Sequence, residues 1–328
     1  MTVLVTGASG FLGSHIAEQL SKQGRRVRAL VRKTSNTAFL RTLEGVELAE
    51  GSVEDFESVL KATQGVEAVV HGAALLYARR PEDFRRVNIG GTENLLLAAR
   101  RSNGGMRRFV LVSSLSAAGP SDDAGRPVPD DILPHPVTEY GRSKLAAERA
   151  ALAFKDELPV TVLRPPLIYG PRDRETLIFY KSIRNGVLPL VSPLENKFSA
   201  VYAADCARAC IRALDADSPT GCTFCLEDGV AHTFRDLILQ VEAALGRRAW
   251  IRIPLPRPVV RCAAAATELY GMLTNRAVIF TRDKCNELFN QWVCDGTRAR
   301  QTLGWEPEVP FERGVRLTAD WYKSAGWL

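Results

Sequence analysis

Residues 2–13 read Thr-Val-Leu-Val-Thr-Gly-Ala-Ser-Gly-Phe-Leu-Gly, an apolar strand running straight into glycines at positions 7, 10 and 13. Few patterns restrict a chain as much. Gly7 permits a tight reversal, Gly10 a close approach of backbone to ligand, and Gly13 the packing of the next helix against the strand. A helix opening at Phe11 offers free N–H groups and a partial positive charge to an anion lying on the turn. The natural guest of such a strand–turn–helix is the pyrophosphate of a dinucleotide, touched by Gly7, Ser9, Gly10, Phe11, Leu12 and Gly13.

The rest of the first half sustains that reading. Thr2–Thr6, Val27–Val31, Val46–Glu50, Ala68–His71, Arg108–Ser113 and Val160–Arg164 are short apolar runs, separated by helical periods that include Phe11–Gln23, Phe84–Arg101 and Glu139–Glu157. Alternation of this kind predicts right-handed crossovers and an α/β fold, a Rossmann doubly wound parallel sheet covered on both faces. A seventh strand, Thr223–Leu226, is expected to complete it. Beyond Arg164 prolines punctuate the chain and strands become isolated. We expect a dinucleotide-binding domain over 1–165, joined by about 200–226, and a smaller C-terminal substrate lobe over 166–199 and 227–328, with ligands where the two meet.

The second strand bears on the choice of dinucleotide. A carboxylate at its end would accept from a ribose hydroxyl and select NAD; here the strand ends in Arg32-Lys33-Thr34. Two cations and a hydroxyl suit a 2′-phosphate, so NADP(H) is expected, with NAD(H) the alternative.

Tyr140 and Lys144 stand four residues apart and therefore on one face of the helix they open. A phenol near pKa 10 is a poor proton carrier at neutral pH, and an adjacent ammonium is expected to lower it by about 1–3 units. Lys144 can also reach the nicotinamide ribose. Ser114, just past the fifth strand, would place a hydroxyl at the same cleft to hold a substrate carbonyl.

The glycine turn TGxxGxxG, Ser114 and the YxxxK pair together resemble the short-chain dehydrogenase/reductases in their extended branch, the NAD-dependent epimerase/dehydratase superfamily. Val70-His-Gly-Ala-Ala74, Asn88-Ile-Gly-Gly-Thr92 and Leu163-Arg-Pro-Pro-Leu-Ile-Tyr-Gly-Pro-Arg172 extend the resemblance over nearly the whole chain. The segment after Ser113 and the closing Gly304-Trp305-Glu-Pro307 are similar to 3-beta-hydroxysteroid dehydrogenases and dihydroflavonol reductases. The resemblance implies that Ser114, Tyr140 and Lys144 are catalytic. It also implies that Ser52, Val53, Ala73, Ala74, Asn88, Val112 and the stretch Pro166, Leu167, Ile168 line the cofactor cleft beside Tyr140 and Lys144. Two positions depart from the family pattern. Ser52 stands where an aspartate is usual near the adenine, and Tyr202 where a histidine is common.

Epimerases and dehydratases share the tyrosine–lysine pair, but dehydratases place Asp-Glu beside the hydroxyl, whereas Ser114 is followed by Leu115-Ser116. No asparagine lies between Arg164 and Arg174 to hold a sugar nucleotide. The expected reaction is reduction of a ketone, or oxidation of a secondary alcohol, on a small, mainly apolar substrate such as a steroid, flavonoid, polyketide or long-chain 3-keto acid. A nucleotide-sugar epimerase and a non-catalytic NADP(H)-sensing module are the alternatives.

A net charge of +6 without basic runs interleaved with aromatics argues against nucleic acid as a partner. Cys222-Thr-Phe-Cys225 lacks a second pair or a histidine partner, so no metal is expected, and the odd count of seven cysteines without a secretory signal suggests the cytoplasm. The helical stretch Val259–Tyr270 is too short and polar for a membrane span but could cover the core, lid the site or touch a membrane peripherally. Consecutive apolar residues at 95–99 and 150–153 suggest a homodimer through two helices, with Ala147 and Ala151 at the contact.

Overall fold

The structure, a computed structural model, describes residues 1–102, 105–191, 193–274, 278 and 280–328. Seven strands form the central sheet: β1 (Thr2–Thr6), β2 (Arg26–Val31), β3 (Val46–Glu50), β4 (Ala68–His71), β5 (Arg108–Val112), β6 (Val160–Arg164) and β7 (Cys222–Cys225). They stand in the order β7-β6-β5-β4-β1-β2-β3, with every neighbouring pair parallel. The chain steps outward from β1 to β3 and then returns to the other side of β1 with β4. Strand order reverses at β1/β4, the point at which sheets of this kind form their ligand crevice, beyond the carboxyl ends of the strands.

The strands read as unbroken apolar runs because both faces are buried. Val3 and Val5 join a core with Ile16, Leu20 and Ile211, whereas Leu4 points the other way, into a core with Val59, Leu95 and Ala99. Helices Phe11–Lys22 and Ala203–Asp215 thus cover one face, and Phe56–Thr63, Gly91–Ser102 and Glu139–Ala153 the other. A separate aromatic core gathers Tyr180, Phe198, Phe311 and Tyr322 around Leu237 and Val241. Tyr202 belongs to it, meeting Tyr169 edge to face at 5.7 Å.

Three expectations need correction. The helix expected over Phe84–Arg101 is interrupted: Pro81–Phe84 is α-helical, Arg85–Gly90 widens into a π-helix, and the α-helix resumes at Gly91. The bulge turns Asn88 inward, and such widenings often mark functional positions. The helix from Glu139 stops at Ala153, capped at Phe154. Finally, the residues placed at a dimer contact lie inside the chain, while Leu97, Ala146, Ala150 and Leu152 are half-buried and Ala153 is exposed on the same helices. Ala147, Ala151, Leu95, Leu96, Ala98 and Ala99 are fully buried, leaving Arg100, Arg142 and Arg149 among the exposed residues.

Candidate active site

The crevice at the strand reversal is shaped by glycine. Gly7 has φ +73°, and a Cβ there would lie 2.8 Å from the Ala73 nitrogen, so the ends of β1 and β4 meet backbone to backbone. A Cβ on Gly13 would lie 2.1 Å from the Gly7 carbonyl, whereas one on Gly10 meets only that oxygen, at 3.1 Å. Gly7 and Gly13 close the turn; Gly10 and Ser9 are exposed at its lip, with Phe11 and Leu12 half-buried behind. No side chain caps the helix at Gly10, which leaves its first N–H groups to an anion. A cradle that a single methyl group would fill fits a dinucleotide pyrophosphate.

Other expected cofactor residues surround this turn. Arg32 and Lys33 are exposed beyond β2, on a turn closed by Arg32 N–H to Ser35 Oγ (3.1 Å), and neither is ion-paired among the described residues. The Ser52 N–H is held by Ser58 Oγ at 3.0 Å, and Val53 is buried against Gly91. Ala73 donates its N–H to Thr6 Oγ1 at 3.2 Å, and Ala74 is half-buried beside it. On the far wall Pro166 and Ile168 are half-buried and Leu167 is exposed.

Two residues expected at the cofactor make hydrogen bonds within the chain that position the catalytic helix. Asn88 is buried and spends its whole amide within the chain. Its Oδ1 accepts from Leu75 N–H at 2.7 Å, and its Nδ2 donates to the Leu75 carbonyl at 3.1 Å and to Ser143 Oγ at 2.9 Å. It ties the loop after β4 to the helix bearing Tyr140. The Val112 carbonyl accepts from Lys144 Nζ at 2.7 Å.

Thr138 opens that helix, its hydroxyl accepting the Gly141 N–H at 3.0 Å. Gly141 lets the helix press close, since a Cβ there would lie 2.3 Å from the Ser116 carbonyl. That approach brings the Tyr140 phenol into hydrogen-bonding reach of Ser114. Ser114 itself caps the short helix Leu115–Ala118 by accepting the Ser116 N–H at 3.1 Å. Lys144 is buried one turn below Tyr140, and Glu148 one turn below that, paired with Arg164 at 2.7 Å. Burial pulls Lys144 down to about 8, opposed by Glu148.

The phenol contradicts expectation. Tyr140 is pushed up to about 12, chiefly because burial disfavours the phenolate, with Glu287 adding to the effect and the Ser114 hydrogen bond opposing it. Lys144, pulled down to about 8, is neutral where so high a phenol titrates and so does not favour its phenolate; its Nζ donates to the Val112 carbonyl. Tyr140 is half-buried, and a phenol held this high gives up a proton only to a strong base such as a nascent alkoxide.

The sequence model of the NAD dependent epimerase/dehydratase family matches residues 3–224. The chain belongs to that family. Ceramide reductase of Caulobacter vibrioides is 32% identical over 99% of this chain and 96% of its own length. A 2-alkyl-3-oxoalkanoate reductase of Stenotrophomonas maltophilia is 30% identical over 96% of this chain and 98% of its own. In structure, UDP-glucose 4-epimerase of Thermotoga maritima, solved with UDP-glucose, superposes with a TM-score of 0.81 at 26% identity, covering 99% of both chains.

This family member is an NAD(P)-dependent oxidoreductase, in which bound nicotinamide gives or takes hydride. Its own side chains add features not anticipated from sequence. Helix Arg282–Phe289 lies across the site: Asp283 accepts the Glu139 N–H at 2.7 Å, and Glu287 accepts from Ser116 Oγ at 3.4 Å. Tyr77 hydrogen-bonds Glu175 nearby, and burial with that carboxylate drives its phenol far up. Glu148 alone had a legible signal, continuing the four-residue spacing of Tyr140 and Lys144. The histidines near the site are structural or peripheral. His71 is buried between Thr6 Oγ1 at 2.7 Å and Thr92 Oγ1 at 3.0 Å, and burial holds it down near 3. His135 is exposed and rests on the Pro120 carbonyl.

Proposed function

We propose that this enzyme is an NADP(H)-dependent reductase of a ketone on a mainly apolar, long-chain substrate, working in reverse as a secondary-alcohol dehydrogenase. The observation that carries the reading is the placement of Tyr140 on one helical face with Lys144 and across from Ser114, its phenol held protonated at neutral pH chiefly by burial. Hydride delivery to the carbonyl carbon would leave an alkoxide on the substrate oxygen, a base strong enough to take that proton. Tyr140 donates it, Ser114 orients the carbonyl, and Lys144 supports Tyr140 from below and faces the nicotinamide ribose.

The cofactor assignment rests on Arg32 and Lys33, two unpaired cations beyond β2 where a 2′-phosphate would lie. Gly7, Gly10 and Gly13 would hold the pyrophosphate, Ser52 and Val53 would serve the adenine end, and Pro166–Ile168 would serve the carboxamide end. The substrate enters between residues 1–165 and the later lobe, beneath helix 282–289. The apolar, long-chain class draws on the two reductases named above, and Leu115-Ser116 in place of an Asp-Glu pair argues against dehydration.

An NADPH-oxidation screen across long-chain 3-oxo acids, their amides and cyclic ketones tests this reading. Turnover with a long-chain ketone supports it, and failure of every ketone with NADPH binding intact overturns it in favour of a sensing module. The likeness to UDP-glucose 4-epimerase supports a second reading, nucleotide-sugar epimerisation. Interconversion of a UDP-sugar with no net loss of cofactor would establish it.

A further inference from the structure

Helix Arg257–Thr274 carries its apolar side chains on the wrong side for a monomer in water. Only Val260, Ala264 and Gly271 are buried. Val260 and Ala264 pack with Cys285 of helix 282–289, flanked by Phe280 and Phe289. Roughly opposite them on the helical wheel, Val259, Cys262, Ala263, Ala266, Leu269, Tyr270 and Leu273 repeat at three- and four-residue spacing, and all seven are exposed. Val259 is 51% exposed, Leu269 56%, Tyr270 55% and Leu273 78%. A continuous apolar stripe on the outer face of a helix is costly in water and calls for an occupant.

The charges around the stripe identify that occupant. Arg261 lies on its flank, Arg257 opens the helix over the Phe289 ring (5.2 Å), and Arg247, donating to the Arg184 carbonyl at 3.4 Å, and Arg248 precede it; none has its charge balanced by a carboxylate among the described residues. The nearby carboxylates are already engaged, Glu242 by Arg252 and Glu268 by Arg282. Apolar residues on one face, with arginine charges beside them that no carboxylate balances, match a bilayer bearing anionic headgroups. A second copy fits less well. A helix of this length is about 27 Å long, and its stripe, about 10 Å wide, offers roughly a third of the ~800 Å² per partner that a stable interface buries.

We propose that helix 257–274 seats this enzyme on an anionic lipid surface, with Val259, Leu269, Tyr270 and Leu273 entering the headgroup boundary. Trp250, 81% exposed just before the helix, is a further candidate for the same boundary. Among the described residues no helix is long and apolar enough to cross a membrane, so the seat is peripheral. The same hairpin reaches the reaction centre. The inner face of helix 257–274 packs on helix 282–289, which sets Asp283 on the Glu139 N–H and Glu287 beside Ser116. A docked helix therefore sits directly over the site. The seat itself does not depend on the reductase reading, and binding rather than turnover tests it.

The full chain is floated with vesicles of phosphatidylcholine alone or containing about one third phosphatidylglycerol. Binding should favour the anionic vesicles and weaken with salt. Leu269→Glu with Leu273→Glu should lower binding about tenfold or more while cofactor affinity, the check on folding, stays unchanged. Arg257→Gln with Arg261→Gln should remove the preference for anionic lipid. A fluorophore on Cys262, in a Cys222→Ser background, should shift to the blue on binding. The proposal is overturned if the wild type floats with neither vesicle, or if the glutamate pair binds as wild type does. It is equally overturned if light scattering finds a dimer that this pair dissociates, which would assign the stripe to a second copy.

Discussion

Glu148 and Arg164 meet at 2.7 Å with side chains only 1% and 5% exposed, one helical turn beyond Lys144. Glu148 also accepts from Ser113 Oγ, and Arg164 donates to the Asp130 carbonyl at 3.1 Å, so the pair binds the ends of β5 and β6 to the helix bearing Tyr140. Removing one partner strands the other charge in the core. Glu148→Ala should destabilise the fold by about 3–5 kcal/mol, whereas the apolar double variant Glu148→Leu/Arg164→Met recovers much of that loss. Urea unfolding of the three proteins checks this. Glu148→Gln should also lower Lys144 below about 8, because the carboxylate is what raises it.

The glycine turn predicts a graded series. Gly13→Ala puts a methyl group on the Gly7 carbonyl and should weaken dinucleotide binding at least about tenfold, or 1.4 kcal/mol. Gly10→Ala, with 3.1 Å to the same oxygen, should disturb the fold less, its loss of binding arising instead from a methyl group set where the backbone must approach the ligand. Equal losses of stability for the two variants in urea unfolding would show that close packing at Gly13 does not hold the turn.

Cofactor choice is a separate test. NADP(H) should bind at least about tenfold more tightly than NAD(H), and Arg32→Ala with Lys33→Ala should erase the difference by weakening NADP(H) alone. Tighter NAD(H) binding by the wild type would refute the assignment.

Acid sensitivity follows from two buried imidazoles. His71 is held near 3 and His15 near 4, in each case chiefly by burial. Below about pH 6.5 the unfolded chain takes up protons that the native histidines refuse. Stability is therefore complete above that pH and falls as pH drops toward 4, by up to about 1.4 kcal/mol per unit for each group. His71→Gln, which cannot titrate, should flatten the slope of denaturation free energy between pH 7 and 4.5 while lowering stability at pH 7.

Much of this architecture was legible in the sequence because its signals are local. Apolar runs fixed β1 to β6 to within a residue or so, and the spacing of Tyr140 and Lys144 placed them on one helical face. What escaped depends on segments far apart in the chain. Asn88 is a clamp only because Leu75 and Ser143 come to it, and Gly141 matters only because Ser116 lies against it. The Tyr140 shift was misjudged for the same reason. Spacing revealed the lysine, while the burial and Glu287 that set the phenol arise from tertiary packing. Ala147 and Ala151 were expected outside because a run of alanines does not say which face the sheet will take.

The central claim is that the Tyr140 proton completes ketone reduction. Turnover of Tyr140→Phe, measured by NADPH oxidation on the best long-chain ketone with cofactor affinity determined in parallel, tests it most directly. A loss of about 10² or more in kcat with cofactor affinity unchanged is the predicted result. Wild-type turnover by the phenylalanine variant would contradict the claim and place the proton donor elsewhere in the site.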